Sequence, residues 1–491
     1  MSHPWPRKVY TSPMQRAITH LSTAFVIAFI LEAASLAGDW AQFRGENAAG
    51  VVGTSGEVRY PVRLSSPSSL LWKVALPPGI SSPCVLGDRI YLTALKDSAL
   101  VTLALERETG KLVWEKPAPA ERIEEVHQIG SPATPTPCSD GRRVYVFFGS
   151  CGLLCYDLKG ELAWSLPLGP FKNNYGQASS PVLWRDRVIL NCDQDIDSFL
   201  LAADKETGRV IWRTPRPGFP RGFSTPVISS TGGKDEVLVA GTLRLISYDP
   251  NDGKELWSIR GLARIVNSTP VLGGGLLYVS SYAPGADADD RIQPISFAKF
   301  AVEHDADKDG FLVENELPEG PFRTRYRQLD ADKDGKITPE EWDSMQQIFE
   351  AARNSIFAVK PEGSGELPQS RVLWRHERAI PYVPSPLYVD GLVYILKDLA
   401  ILTCLDAKTG QVLKQKRLPA GGNYYASPVA AGSTIYTASQ QGGLCVLRAG
   451  KDWEVVDQLD LKETCMATPA LAGGKVYVRT EKHLYAFGER Q

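Results

Sequence analysis

Two stretches of the chain gather carboxylates at a spacing that suits a hard divalent cation. One reads Asp305-Ala-Asp307-Lys-Asp309-Gly310-Phe311-Leu312-Val313-Glu314-Asn315-Glu316. The other reads Asp330-Ala-Asp332-Lys-Asp334-Gly335-Lys336-Ile337-Thr338-Pro339-Glu340-Glu341. Positions 1, 3 and 5 put three aspartates on one side of a tight loop. Position 6 is the glycine a sharp turn needs, and position 12 is a glutamate able to chelate through both oxygens. Phe311 and Lys336, at position 7, would add backbone carbonyls. Each loop could complete seven oxygens, which favours Ca²⁺ over Mg²⁺. The expected ligands are Asp305, Asp307, Asp309, Phe311 and Glu316 for one ion, and Asp330, Asp332, Asp334, Lys336 and Glu341 for a second.

Helices must flank such loops, and the apolar spacing supplies candidates. Phe322, Tyr326 and Leu329 fall on one helical face before the second loop, and Trp342, Met345, Ile348, Phe349 and Ala352 on one face after it. Thr338 with Glu341 forms a capping box around Pro339. Leu312 and Ile337, at position 8, are placed to pair the loops through a short apolar β-bridge. The first loop is less regular: Pro318 cuts off its exit helix, and Val313 at position 9 offers no side-chain oxygen. The pattern is that of an EF-hand pair. A weaker group, Asp193, Asp195 and Asp197, has Ser198 where the glycine should be and reads as a solvated turn.

The rest of the chain is a repeat. A Ser/Thr-Pro step recurs, followed seven residues later by an apolar residue within a strand: Pro83/Ile90, Pro137/Val144, Pro181/Val188, Pro270/Leu277, Pro386/Val393, Pro428/Ile435 and Pro469/Val476, with Pro226 as an eighth copy. Its second half repeats too. Thr109-Gly110 precedes Trp114, Gly160 precedes Trp164, Thr207-Gly208 precedes Trp212, and Asp252-Gly253 precedes Trp257; Lys414 replaces the tryptophan in the sixth unit. Thr-Gly and Asp-Gly steps between short alternating runs are hairpin signals. Four strands per unit at a period near 41–54 residues mark propeller blades. One interval, Pro270 to Pro386, is longer because it holds the acidic loops.

The last unit, Thr468 to Phe487, has three strands, and Leu70–Val74 is an outer strand without a blade, so the N-terminal strand should close the ring and leave no open sheet edge. The expected fold is therefore all-β: an eight-bladed β-propeller of four-stranded antiparallel blades, closed by the N-terminal strand, with a small α-helical EF-hand insertion in blade five. Aligned on the third strand, Ala104, Cys155, Ala202, Ser247, Ala358, Cys404, Cys445 and Ala486 occupy one position. Small residues fit where one sheet presses on the next, so Cys155, Cys404 and Cys445 read as packing residues. Cys84 and Cys138 share a place after the key proline.

The apolar-Tyr-x-Leu-Asp-x-x-Thr-Gly-x-x-x-Trp run resembles the tryptophan-docking repeat of the pyrroloquinoline quinone (PQQ) propeller family, from about Trp40 to Phe487. The resemblance implies the fold. For function it offers quinoprotein alcohol dehydrogenases, an outer-membrane assembly lipoprotein and exported proteins of unknown role. The dehydrogenases use a bound quinone, Ca²⁺, an Asp base and usually a vicinal cysteine pair; no two of the eight cysteines here are adjacent.

Arg7, Lys8 and Arg16 precede an apolar stretch, Leu21 to Leu31, and Ser35-Leu36-Ala37 offers a small-x-small cleavage site before Gly38, which reads as a secretory signal with no transmembrane anchor after cleavage. The expected organisation is a signal over 1–37, propeller over 38–284, EF-hand insertion over 285–354 and propeller over 355–491, in a periplasmic or secreted protein. A net charge of −2 without a basic run argues against nucleic acid. Binding groups are expected on the funnel-face loops, which the insertion should share: Glu125, His127 and Gln128; Asn173, Asn174, Tyr175 and Gln177; Arg221; Arg264 and Asn267; Tyr382; Asn423, Tyr424 and Tyr425. The expected role is a monomeric, non-enzymatic protein holding a protein or small-molecule ligand there, with two Ca²⁺; a PQQ-dependent dehydrogenase with an atypical site is the alternative.

Overall fold

In a computed structural model, which describes Met1 and residues 38–53, 58–287 and 295–490, the chain forms eight antiparallel sheets arranged as the blades of a propeller. The expected signal over 1–37 lies outside the described residues apart from Met1. Blade 1 is Cys84–Leu86, Arg89–Lys96, Ala99–Glu106 and Leu112–Pro117, and the others repeat this order. Blade 8 takes three strands from Ala470–Ala472, Lys475–Arg479 and His483–Phe487, and its outer strand is Leu70–Ala75, paired Trp72 to Ala486. The ends of the sequence thus share one sheet.

The tryptophans explain how blades grip. Trp114, Trp164, Trp212 and Trp374 each donate Nε1–H to a carbonyl in the next blade's hairpin, Leu158, Lys205, Pro250 and Ala407 respectively, at 2.9–3.0 Å. The turn glycine lies flat on the ring. At Gly253 φ is +73°, and a Cβ there would stand 2.5 Å from Trp212 Cε3, so both the turn and the packing demand glycine. Opposite the tryptophan, the small third-strand residue lets the indole seat: Ala104 faces Trp114, Cys155 Trp164, Ala202 Trp212 and Ser247 Trp257.

Four blades depart from the rule: blade 7 has Asp457 opposite Val446, blade 8's Trp72 leaves its Nε1 without a hydrogen-bond partner, and blades 4 and 6 use other devices. Trp257 has no Thr-Gly turn beyond it; Gly365–Glu366 pairs alongside instead and buries it completely, and its Nε1 bonds Glu236 at 2.9 Å. In blade 6, Lys414 reaches Trp453 from the following blade, Nζ to carbonyl at 2.7 Å, so the indole comes from the other side. The expectation for Cys445 needs correction. It pairs with Thr437 and Gln458, and Val446, opposite Tyr436, fills the small-residue position. The bulge in the outer hairpin falls one residue later than alignment by sequence suggests. All eight cysteines are free thiols; seven are fully buried, Cys151 half so.

Residues 40–52 run beneath the ring. Trp40 bridges Val85, Ala41 accepts from Ser139 N–H, Arg44 bonds the Pro386 carbonyl at 2.8 Å, Ala48 joins the blade 4 core, and Val51–Val52 pairs parallel with Ala430 and Ala431.

Candidate functional site

The connection between Leu276–Ser281 and Ser355–Val359, the second and third strands of blade 5, carries the acidic loops on short helical segments. Phe297–His304 enters the first loop. The expected helix before the second loop is two four-residue turns, Pro321–Thr324 and Tyr326–Leu329, broken at Arg325. Pro339–Ala351 leaves it, and Thr338 and Glu341 form the capping box, Oγ1 accepting from Glu341 N–H at 3.2 Å. Phe297, Phe300, Leu312, Leu317, Tyr326, Leu329, Ile337 and Trp342 make a core of their own. Leu312 and Ile337 exchange backbone hydrogen bonds of 3.1 and 2.8 Å.

The two loops share one backbone. Lys308 and Lys333 have φ of 59° and 66°, and Gly310 and Gly335 86° and 88°. Gly310 N–H donates to Asp305 Oδ2 at 3.1 Å and Gly335 N–H to Asp330 Oδ2 at 3.2 Å. Those turns aim the aspartates inward: carboxylate oxygens of Asp305, Asp307 and Asp309 lie within 4.8 Å of one another, as do those of Asp330, Asp332 and Asp334. The remaining oxygens of Asp305 and Asp330, both Oδ1, are buried without any donor. Burial foremost, then the charges of Glu341 and Asp334, holds Asp330 above the ordinary carboxylate range. Buried lone pairs in a like-charged group are costly unless a cation meets them. Glu316 and Glu341 are not in either triad. Glu316 accepts Ala306 N–H at 2.8 Å and Val313 N–H at 3.0 Å, and Glu341 takes Ala331 and Thr338 N–H, each at 2.8 Å. Phe311 and Lys336 meet across the bridge, Nζ 4.5 Å from the ring.

The insertion lies on the funnel face, as expected. Lys333 reaches Asp197 of blade 3 at 3.1 Å, Phe349 stacks under Arg264 at 5.2 Å, and Ile348 and Met345 pack by Pro220 and Ile265. The aspartates of blade 3 are a correction: they are ion pairs rather than a solvated turn. Asp193 is fully buried against Arg216, with contacts of 2.7 and 3.0 Å, and Asp195 holds Arg221 at 2.5 and 3.1 Å. The arginines come from 23 and 26 residues downstream, beyond what a local motif can display.

Beside the insertion opens a central well of about 160 Å³. Its wall is the repeat itself. At seven of the eight key prolines the preceding hydroxyl residue accepts a backbone N–H from the blade before it: Ser82 N–H to Thr136, Thr136 to Ser180, Ser180 to Thr225, Thr269 to Ser385, Ser385 to Ser427, Ser427 to Thr468, and Thr468 to Ser82, all at 2.9–3.1 Å. Two residues earlier stands a collar: Ile80, Thr134, Ala178, Phe223, Asn267, Val383, Tyr425 and Met466. Of the expected funnel groups only Tyr175, Asn267, Tyr382 and Tyr425 reach this wall. Glu125 pairs with Arg122 in solvent, His127 edges onto Tyr175, Asn173 caps Tyr175 N–H, and Gln177 and Tyr424 are buried on the Asp193 and Ala420 carbonyls. Beyond Asn267 and Tyr425 the collar was missed because it is mostly apolar; its signal was its fixed place three residues before each proline.

The sequence profile of the family described as outer membrane protein assembly factor BamB matches residues 49–192, 197–309 and 324–490. The outer membrane protein assembly factor BamB of Yersinia pestis is 20% identical over 322 residues, 64% of this chain and 75% of that protein. The crystal structure of BamB from Moraxella catarrhalis superposes with a TM-score of 0.56 at 14% identity, covering 86% of this chain and 97% of the other. The quinohemoprotein alcohol dehydrogenase ADHIIG from Pseudomonas putida HK5 gives 0.54 at 15% identity, covering 94% and 82%. At these identities the superpositions speak to the fold alone.

Proposed function

The chain belongs to the family described as outer membrane protein assembly factor BamB, and from that footing we propose that it is an exported, calcium-binding propeller serving as a binding or scaffold protein. The helical insertion is read as an EF-hand pair. What carries the calcium reading is the matched pair of orphaned oxygens, Oδ1 of Asp305 and of Asp330, each buried inside a triad of carboxylates. Asp305, Asp307 and Asp309 would hold one ion and Asp330, Asp332 and Asp334 the other. Glu316 and Glu341 would move from the loop N–H groups to complete each site, with the carbonyls of Phe311 and Lys336. Calcium supplies charge neutralisation, and its role here is to order the insertion over the funnel mouth.

The binding-protein reading rests on the Yersinia relative, named as an assembly factor, and on the loops that surround the well. Loops on a rigid ring are where such a protein meets a partner, and the expected setting is the periplasm or the exterior. No helix among the described residues is long and apolar enough to cross a membrane. A quinone enzyme is the weaker alternative: no Asp or Glu lines the well, so neither a metal ligand nor a base stands where the quinone would sit.

The test is calorimetric titration of the mature chain with calcium, followed by hydrogen exchange with and without chelator. Two bound ions per chain, with protection gained in residues 297–351 and unchanged in the blades, is the expected result. At calcium 100-fold above Kd each site should contribute about 2.7 kcal/mol. No uptake at millimolar calcium would end the proposal.

A further inference from the structure

The well is neutral and mainly apolar, and a cationic group, Arg264, stands beside it. Phe43, carried on the segment that crosses beneath the ring, also lines it. No charged side chain lines the wall, and six of the eight collar positions present apolar or aromatic surface. A cavity near 150 Å³ with such a lining holds a body the size of a benzene ring. The hydroxyl belt gives an oxygen lone pair to a backbone N–H at seven of its eight positions, which leaves the O–H groups as neutral donors in an otherwise apolar wall.

Ile265 lines the well, and its neighbour Arg264, which lines a small adjoining pocket with Met345 and Ile348, is close enough to Tyr175 and Tyr382 for their hydroxyls to bear on its charge. Arg264 stacks on Phe349, and its Nε is buried with no hydrogen-bond partner. No carboxylate pairs with it among the described residues, whereas Arg221 nearby is held by Asp195. Burial, and then the charges of Arg325 and Arg221, push the Arg264 guanidinium down to about 10, still charged at neutral pH. A desolvated cation with an open donor gains most from an anion that can return a hydrogen bond.

We propose that the well binds a small amphiphilic carboxylate, its apolar body within the collar of Ile80, Ala178, Phe223, Val383 and Met466 and its carboxylate on Arg264. The wall selects an unbranched aliphatic or single-ring body, and the rim selects a negative head over a neutral or positive one. The collar and Arg264 belong to the ring, but Arg264 rests on Phe349 of the insertion, so the site is tested on calcium-loaded protein.

The experiment is calorimetric titration of the mature, calcium-loaded protein with octanoate, octanol and octylammonium. Octanoate should bind one per chain and about ten- to a hundredfold more tightly than octanol, the range of a hydrogen bond to a charged group; octylammonium should be weaker than both. Arg264→Gln should bring octanoate to the octanol affinity and leave octanol unmoved. Ala178→Trp, which fills the collar, should abolish both. Absence of saturable octanoate uptake overturns the proposal, and so does an octanoate-to-octanol ratio that Arg264→Gln leaves intact. That ratio is read within one variant, so it decides the matter even if Ala178→Trp fails to fold.

Discussion

The ring and the insertion both work by repetition, but they complete their repeats differently. In the ring each module is finished by its neighbour: a tryptophan of one blade seats under the turn glycine of the next, and a hydroxyl of one inner strand receives the N–H of another. In the insertion there are two modules, joined by one bridge between Leu312 and Ile337, and each leaves a buried carboxylate oxygen without a donor. Neighbours complete the seams of the first kind of repeat; the second gathers like-charged carboxylates with no neighbour to meet them. The lesson is that local regularity is not itself stability, because what matters is whether the last unmet group finds a partner.

That contrast can be broken at several strengths. Trp212→Ala removes a buried indole and its bond to Pro250, and should cost about 3–5 kcal/mol, with unfolding felt around the ring and no change in calcium uptake. If thermal unfolding by calorimetry showed only one blade loosening, the closed-ring account would fail. In the insertion, Glu341→Gln should weaken the second site by at least the ~10–100-fold that even an outer-shell change costs. Without calcium its melting temperature should fall only slightly, because Gln keeps one of the two oxygens that accept Ala331 and Thr338 N–H.

Acid should separate the two regions as well. Burial alone would raise the Glu463 carboxyl, but hydrogen bonds from Thr480, His483, Lys73 and Tyr485 outweigh it and bring it down to about 2. A lowered carboxyl adds stability that is complete above its ordinary value of 4.5 and drains away as pH falls towards 2. Lys73 lies on the closing strand, so thermal melts between pH 4.5 and 2 should show ring stability falling, and Glu463→Gln should flatten that limb. Smaller still, Thr338→Ala removes a helix cap worth ~1 kcal/mol. Exchange should quicken in Pro339–Ala351 and the second loop but not in the first, whose N-cap Val313 has no such hydroxyl. Smallest, Lys333→Ala should cost less than ~1 kcal/mol, because its pair with Asp197 is largely exposed. Its readout is exchange in the second loop.

The ring was legible because its signals recur: a proline step, a glycine turn and a tryptophan seen in many copies outvote any local exception. The loop triads were legible because their carboxylates are close in sequence. What escaped depended on partners far along the chain. Asp193 looks solvated until Arg216 arrives, Trp257 lacks a turn until Gly365–Glu366 covers it, and the path of residues 40–52 under five blades has no local mark. Cys445 went astray through the placing of one bulge. The funnel wall was overlooked because polar loop residues drew attention from the apolar collar behind them.

Blade 8 has an implication for how the molecule comes into being. Its outer strand is made at residues 70–75 and its partner at 483–487, so the sheet cannot form while the chain between them is still being synthesised. The first strand must wait, unpaired, for almost the whole polypeptide. The entropy of closing so long a loop rises only slowly with length, but the search itself is slow. A chain with that latch stays threadable until its last strand appears, and shuts only afterwards; deleting Leu70–Ala75 would leave a ring permanently ajar at its final seam.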